Sequence, residues 1–238
     1  MGVYDEQISE ALAHFWGSRD AQAAKQQSSG RQDAGTRGSV TGGQHLNAVG
    51  DLVKSVTDDA MPAGMTVHSG GGNRNPLTAI AGWFRPTKQW DIVYRLDDEP
   101  VAVVELKSQV GSFGNNANNR AEEAVGNAAD LLAAQRHGQL AAKLWRGYIF
   151  VIEDCDASRK PSTLGDDDRW AMDDRFANAS YVERVSVLCD RLVEEGLYDG
   201  AWAVATSQPP DFGWVEPDPS LTGFDRFASS LRGFLKGL

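Results

Sequence analysis

The sequence has few of the residues that build zinc sites or disulfide frameworks. Its 238 residues include two cysteines, Cys155 and Cys189, each in an apolar pattern, and four histidines that lack the spacing of metal ligands. This argues against a zinc site and predicts two reduced core thiols in a cytoplasmic protein. No apolar run is long enough to span a membrane, and the acidic first residues do not have the pattern of a signal peptide.

Positive charge is also scarce, which at first argues against nucleic-acid binding. The net charge is −10. Residues 1–150 carry 14 Lys and Arg against 16 Asp and Glu, whereas residues 151–238 carry 9 against 17. The acidic excess is therefore concentrated in the C-terminal part, and a local basic cleft elsewhere remains compatible with the composition.

The order of apolar patterns predicts an α/β fold over one domain, residues 1–238. Helical stripes are followed by strand-like runs and then by alternating helices and strands, which predicts a mixed central sheet flanked by helices. The predicted helices cover residues 3–16, 44–59, 117–136, about 182–193 and the C-terminal segment. The predicted strands cover residues 79–87, 92–96, 101–107, 148–152 and 200–206.

Three polar segments interrupt this pattern. Residues 18–43 are rich in Gly, Ser and Gln and carry four basic side chains, so they are either a flexible surface loop or a basic arm that orders on DNA phosphates. Residues 156–180 and 208–222 are predicted to be acidic loops. The first contains three consecutive aspartates, which are typical of a solvated surface rather than of a metal site.

The chain is organised around the stretch from Trp90 to Arg120. Residues two apart in a strand point to the same face, so Glu105 and Lys107 should emerge together while Leu106 turns into the core. A hairpin with its turn at Asp97–Pro100 would place Leu96 opposite Val101. Counting from that pair brings Asp91 next to Leu106, and so to the same end of the sheet as Glu105 and Lys107.

Two carboxylates and an ammonium group at one place suit metal-dependent hydrolysis of phosphodiesters. Carboxylate oxygens of Asp91 and Glu105, with the backbone carbonyl of Leu106, could hold Mg²⁺. Lys107 could orient a metal-bound water or neutralise the transition state. The spacing of these residues is common by chance, however, and a hairpin that ends in a salt bridge would produce the same pattern.

The surrounding sequence is more specific than the three residues alone. The run AIAGWFRPTKQWD, residues 79–91, and the run VELKSQVGSFGNN, which begins at Val104, resemble the XhoI-type restriction endonuclease family of the PD-(D/E)xK nuclease superfamily. Trp90 stands where the superfamily pattern often has proline. The resemblance implies a restriction-endonuclease-like core with Asp91, Glu105 and Lys107 as catalytic residues and Mg²⁺ as cofactor.

The resemblance also implies a substrate and partners. It implies a type II restriction enzyme that acts as a homodimer on double-stranded DNA, at the palindrome CTCGAG, cutting after the first base to leave a 5′ overhang. A DNA methyltransferase of the same system would protect the host. Two alternatives stay open, another nuclease of the superfamily acting in repair or on DNA structure, and a non-catalytic DNA-binding module.

The segment after the catalytic strand is the candidate DNA-contacting region. Amide side chains can read adenine or hold phosphates, and basic side chains can pair with phosphate or guanine. The candidate residues are Gln109, Asn115, Asn116, Asn118, Asn119, Arg120, Arg85 and Lys88. The alternative is that Gly and Asn only build a turn there. Glu122 and Glu123 are predicted in the first turn of the next helix, where they favour the helix dipole or one of them serves the metal or its water. Gln44 and His45, on the helix before the hairpin, are predicted at the surface, with an orientation toward the cleft as the alternative.

Overall fold

The computed structural model describes residues 2–28, 44–70, 75–161 and 171–238. Its helices are α1 (Asp5–Ser28), α2 (Asn47–Thr57), α3 (Phe113–Arg136), α4 (Asp156–Arg159), α5 (Tyr181–Glu194), α6 (Pro219–Thr222) and α7 (Phe224–Lys236). Its strands are β1 (Met65–Ser69), β2 (Ala79–Ala81), β3 (Thr87–Gln89), β4 (Ile92–Leu96), β5 (Glu99–Gln109), β6 (Trp145–Glu153), β7 (Gly200–Ser207) and β8 (Gly213–Val215). No described helix is long and apolar enough to cross a membrane.

Six strands form a mixed sheet in the order β1-β4-β5-β6-β7-β8. The central pairs β5–β6 and β6–β7 are parallel, and the other neighbours are antiparallel. The central strands are almost wholly apolar because helices cover both of their faces. The predicted α/β fold with a mixed central sheet is confirmed, and its core is that of a restriction-endonuclease-like protein.

Alternating side chains of the strands feed two apolar cores, one on each face of the sheet. On one face, α1, α2 and α7 pack against side chains that include Ile92, Val104 and Leu106. On the other face, α3 and α5 pack against side chains that include Val103 and Phe150. This alternation turns Leu106 toward α2, whereas Glu105 and Lys107 face α3, as the strand parity predicts.

The hairpin of β4 and β5 is present, but its register differs from the prediction. Asp97 and Asp98 have φ values of 50° and 66°, the geometry of a two-residue type I′ turn. Leu96 therefore pairs with Glu99 rather than with Val101. A bulge after Tyr94 then shifts the register by one residue, next to Pro100, whose missing N–H cannot join the ladder.

Several predicted boundaries are wrong. Helix α1 continues to Ser28, into the segment 18–43 predicted as a loop, because the Ala, Gln and Lys residues there are strong helix formers. The rest of that segment, residues 29–43, lies outside the described residues. Residues 79–87 contain β2, a turn and the start of β3 rather than one strand, since Gly82 and Pro86 bracket the turn.

The two acidic segments also contain regular structure. Residues 156–180 begin with α4, and their three consecutive aspartates lie outside the described part of the chain. Residues 208–222 contain β8 and α6. Strand β1, which follows Gly64, was not predicted because a five-residue edge strand has little apolar periodicity. Cys155 and Cys189 are free thiols, and only Cys189 is fully buried.

The turn between β2 and β3 is held by a buried carboxylate on α3. Asp130 accepts hydrogen bonds from the backbone N–H groups of Trp83 and Phe84 at 2.8 and 2.7 Å, and from Nε of Arg85 at 2.7 Å. Burial disfavours the charged form of Asp130, but these donors outweigh it and lower its pKa. The short sheet that carries Lys88 is therefore attached to α3.

Replacement of Asp130 by alanine should destabilise the fold by roughly 3 kcal/mol, because two backbone donors and a guanidinium lose a buried acceptor. Urea unfolding followed by tryptophan fluorescence measures this loss. The control is Asp51→Ala, which removes an exposed salt bridge to Lys54 and should cost less than about 0.5 kcal/mol. Equal losses in the two variants would contradict the role given to Asp130.

Candidate active site

The three predicted catalytic side chains lie at the same end of β4 and β5. Asp91 immediately precedes β4, and its Oδ2 accepts a hydrogen bond of 2.8 Å from the backbone N–H of Leu106. Glu105 and Lys107 leave β5 on the face that α3 covers, and Lys107 Nζ lies 2.6 Å from Glu105 Oε1. The structure thus brings Glu105 and Lys107 to one face, as strand alternation predicts, and places Asp91 beside them, as the hairpin predicts.

A second lysine belongs to this cluster. Lys88 on β3 places its Nζ 2.5 Å from the other oxygen of Glu105, Oε2, so each oxygen of the carboxylate faces an ammonium group. Asn127 of α3 adds a longer contact, with Nδ2 at 3.4 Å from Oε1. Glu105 is only 2% exposed, and its negative charge is therefore compensated inside the protein.

The cluster continues outward along α3. Glu123 lies 3.8 Å from Lys107 Nζ and 2.7 Å from an NH group of Arg120. Because α3 begins at Phe113, Glu122 and Glu123 are in the third turn of the helix, and the prediction that they lie in its first turn is wrong. The charges of Arg120, Glu123, Lys107, Glu105 and Lys88 alternate in sign along the cluster.

The two carboxylates have opposite pKa shifts. Burial, and then repulsion from Glu105, raise the pKa of Asp91 to about 7. Burial also opposes the charged form of Glu105, but Lys88 and Lys107 outweigh it and lower its pKa. Asp91 forms no salt bridge with any other described residue, whereas Glu105 forms two, with Lys88 and Lys107.

Lys107 remains protonated at neutral pH in this arrangement. Burial acts to lower its pKa, but the carboxylate of Glu105 outweighs burial and raises it. A protonated ammonium group donates hydrogen bonds and cannot accept a proton. The chemistry available to Lys107 is therefore electrostatic stabilisation and orientation rather than general-base catalysis.

The donors at this site match a hard cation better than zinc. The described residues contain no group of three or more His, Cys, Asp and Glu side chains that could hold a metal. The oxygens available are the carboxylates of Asp91 and Glu105 and the carbonyl of Leu106. Mg²⁺ accepts such a set, because it retains several waters and binds substrate phosphate.

The Gly- and Asn-rich segment is mainly helical rather than a loop. Gly111 and Ser112 have positive φ values of 66° and 47° and turn the chain into α3, which starts four residues earlier than predicted. Asn118 and Asn119 are exposed, whereas Asn116 is half-buried and donates to the Ser112 carbonyl at 3.1 Å. The side chain of Asn115 lies outside the described part of the structure.

Three of the predicted DNA-contacting residues are engaged within the protein. Gln109 is buried and donates to the carbonyl of Phe113 at 3.1 Å, which holds the start of α3. Arg85 bonds to Asp130 and to Asn127 Oδ1, at 2.7 Å each. Lys88 is paired with Glu105 in the charged cluster of the candidate site. Their role at a DNA surface stays a prediction, and the side chain of Arg85 is 41% exposed despite its internal contacts.

His45 is buried, contrary to the predicted surface location, whereas Gln44 is exposed as predicted. The Nε2 of His45 lies 2.8 Å from Oγ of Ser108 on β5, the strand that carries Glu105 and Lys107. Burial, and then the charge of Arg19, lower the pKa of His45 to about 4. His45 is therefore neutral at physiological pH and supports β5 without contacting the carboxylates.

Asn127 was not predicted to be a site residue, and Lys88 was predicted to contact DNA rather than Glu105. Asn127 and Asp130 fall within the apolar stripe of Ala124, Ala128 and Leu131, and polar residues on the buried face of a helix are a usable signal. No comparable signal marks Lys88, because its contact with Glu105 depends on how β2 and β3 pack beside the main sheet.

An α/β fold whose hairpin brings an aspartate beside a Glu-x-Lys strand belongs to the restriction-endonuclease-like class. Residues 25–211 match the family described as restriction endonuclease XhoI. The chain therefore belongs to the XhoI family of restriction endonucleases, which are type II site-specific deoxyribonucleases. This confirms the resemblance read from residues 79–91 and from the run that begins at Val104.

Individual relatives agree with this assignment. The chain is 34% identical to the type II restriction enzyme XhoI of Xanthomonas vasicola, over 83% of this chain and 78% of the relative. It is 34% identical to BstVI of Geobacillus stearothermophilus, over 82% and 87%, and 37% identical to AbrI of Azospirillum brasilense, over 66% and 70%. No solved structure matches the chain significantly.

Proposed function

We propose that this chain is a Mg²⁺-dependent type II restriction endonuclease that hydrolyses double-stranded DNA at a specific sequence. The observation that carries the proposal is the convergence of Asp91, Glu105 and Lys107 at one end of β4 and β5, within hydrogen-bond distance of one another or of the intervening backbone. The whole chain would form one nuclease domain.

Asp91, Glu105 and the carbonyl of Leu106 would hold the metal. Their fit rests on two buried carboxylates near each other, whose mutual repulsion helps to raise the pKa of Asp91 and would be relieved by a divalent cation. When bound, Mg²⁺ would acidify a water and stabilise charge on the phosphoryl oxygens. Lys107 would orient that water or neutralise the transition state, since it retains its proton.

The first turns of α3 are the proposed DNA-contacting surface. Asn118 and Asn119 are exposed there, and Asn116 and Arg120 are half-buried beside them. Arg120 contacts Glu123, which in turn contacts Lys107, so this surface adjoins the catalytic cluster. Amide groups can read adenine or hold phosphate, and an arginine can pair with phosphate or guanine. Asn115 remains a prediction of the sequence for the same surface.

We further propose the target CTCGAG, cut after its first base to leave a 5′ overhang. The support is the similarity to the XhoI family together with the intact Asp-Glu-Lys set. Cutting both strands of a palindrome calls for two-fold symmetry, so the active form would be a homodimer. The host would need a DNA methyltransferase that modifies the same sequence.

Digestion of a plasmid that contains one CTCGAG sequence tests the activity and its specificity together. In Mg²⁺ the protein should produce one linear product, and end sequencing should locate both cuts within the hexamer. A plasmid that differs by one base in the hexamer should remain uncut, and addition of EDTA should stop the reaction. Discrete fragments from another sequence would contradict the target while supporting a restriction enzyme.

The two alternative functions give different products. A repair or structure-specific nuclease would leave linear duplex uncut and would cleave branched or damaged substrates, or would degrade DNA to a smear. A non-catalytic DNA-binding module would retard DNA on a gel and would not nick it at any concentration of divalent metal. Either result would contradict the proposed function.

A further inference from the structure

Lys88 and Lys107 contact the same carboxylate, that of Glu105, from different parts of the fold. Its Nζ lies 2.5 Å from Glu105 Oε2, whereas Lys107 occupies Oε1 at 2.6 Å. Both oxygens of Glu105 are thus taken by cations within the protein. A divalent cation held by Asp91 and Glu105 needs a lone pair on at least one of these oxygens, and the ammonium group facing that oxygen would repel it. Withdrawal of one ammonium group would therefore favour metal binding.

The supporting elements identify which ammonium group withdraws. Lys107 lies on β5, a central strand of the six-stranded sheet, where its backbone pairs with Phe150 of β6. Lys88 lies on β3, a three-residue strand of a separate two-stranded sheet, with exposed residues on either side of it. Movement of the Lys88 side chain on this short peripheral strand would leave the packing of the central sheet unchanged.

Lys88 also has other groups to contact when it leaves Glu105. Its Nζ lies 3.0 Å from the carbonyl oxygen of Gln89 and 4.5 Å from the centroid of the Trp90 ring, a cation–π distance. These contacts do not involve the metal-binding oxygens. The ammonium group can therefore move away from Oε2 without becoming an unpartnered buried charge.

We propose that Lys88 is a positioning residue that occupies the metal-binding oxygen of Glu105 in the metal-free protein and releases it when a divalent cation binds. This inference rests on the proposed metal-dependent function. The formal charges of Asp91, Glu105, Lys88 and Lys107 sum to zero, so a divalent cation would leave an excess of positive charge. A DNA phosphate supplies the compensating negative charge, and metal and DNA should bind cooperatively.

Titration calorimetry with Ca²⁺, without DNA, tests the inference directly. Ca²⁺ takes oxygen ligands and reports binding without requiring cleavage. Removing a cation within a few ångströms of the site should lower the dissociation constant of the Lys88→Met variant by about tenfold. Lys88→Arg, which keeps the charge, and Lys143→Met, which removes an exposed lysine elsewhere, should bind Ca²⁺ as the unchanged protein does.

One result would contradict the role of Lys88, and another would contradict the metal site itself. Binding of Ca²⁺ by Lys88→Met that is equal to or weaker than that of the unchanged protein would overturn the role of Lys88. Loss of the proposed metal site would appear separately, as Ca²⁺ binding that is unaffected by Glu105→Gln. Circular dichroism and thermal unfolding in EDTA establish that each variant is folded before the titration.

A measurement on the unchanged protein covers the case in which Lys88→Met does not fold. Lysine ammonium groups in tight ion pairs give resolved ¹⁵N signals, and Lys88→Arg assigns the signal of Lys88. Saturation with Ca²⁺ and uncleaved DNA should shift or broaden the Lys88 signal far more than that of an exposed lysine. An unchanged Lys88 signal at saturation would overturn the proposal.

Discussion

Replacing Glu105 by glutamine should reduce DNA cleavage by about 10³-fold or more, because the carboxamide keeps the shape of the side chain and loses its charge. Glu105 is the residue on which Lys88, Lys107 and Asn127 converge. The substitution also removes one of two carboxylates available to Mg²⁺. Specific DNA binding should persist, since the exposed asparagines of α3 are unchanged. Single-turnover cleavage and gel retardation measure the two effects.

The matched control is Glu99→Gln, which removes an exposed carboxylate from the other end of the same strand. That variant should cleave at the rate of the unchanged protein. Wild-type cleavage by Glu105→Gln would contradict the assignment of the active site. Loss of DNA binding together with cleavage would instead indicate a damaged fold, which urea unfolding of both variants would reveal.

Replacing Lys107 by methionine should reduce cleavage by about 10²- to 10³-fold. The loss should arise in the chemical step rather than in metal binding. The variant loses the ammonium group that orients the water or neutralises the transition state, but Asp91 and Glu105 remain available to the metal. Calorimetry with Ca²⁺ should therefore detect binding in Lys107→Met and none in Glu105→Gln. Cleavage rates at saturating Mg²⁺ separate the catalytic loss from weaker metal binding.

Lys143→Met is the control for this second experiment, because Lys143 is exposed and precedes the start of β6, at the opposite end of the β5–β6 pair from Lys107. Its cleavage rate should equal that of the unchanged protein. If excess Mg²⁺ restored full cleavage to Lys107→Met, the lysine would act only through metal affinity. That result would contradict an electrostatic role at the reacting phosphate.

The contacts on α3 suggest how DNA binding and catalysis are connected. Glu123 contacts both Arg120, on the proposed DNA surface, and Lys107, in the catalytic cluster. A phosphate that attracts Arg120 would weaken its pairing with Glu123, and Glu123 would then pair more fully with Lys107. The same helix contacts Glu105 through Asn127. One helix thus carries the proposed DNA-contacting residues and also contacts Lys107 and Glu105 of the candidate site.

Much of the geometry of the candidate site could be predicted because strand geometry is local. Side chains two residues apart face the same way, so Glu105 and Lys107 share a face whatever surrounds them. The hairpin brings Asp91 to Leu106 even though the predicted turn was too long and a bulge shifts the register. The family could be recognised from residues 79–91 and the run from Val104, since a contiguous match needs no knowledge of the fold.

Contacts between distant segments could not be predicted in the same way. Arg85 and Lys88 have side chains suited to DNA, yet Arg85 is paired with Asp130 and Lys88 is paired with Glu105. A buried polar side chain forms hydrogen bonds with the groups that packing brings near it, and the sequence alone does not identify those groups. Likewise, the start of α3 at Phe113 depends on the positive φ values at Gly111 and Ser112.

The sequence by itself determined the α/β class, the shared face of Glu105 and Lys107 on β5 and the family, because periodicity and contiguous motifs are properties of neighbouring residues. Only the tertiary structure decided that Glu105 has two lysines rather than one, and that Asn127 and Glu123 extend the cluster. The reason is physical. Charges in a buried site are balanced by groups close in space, and these come from β3, β5 and α3 together.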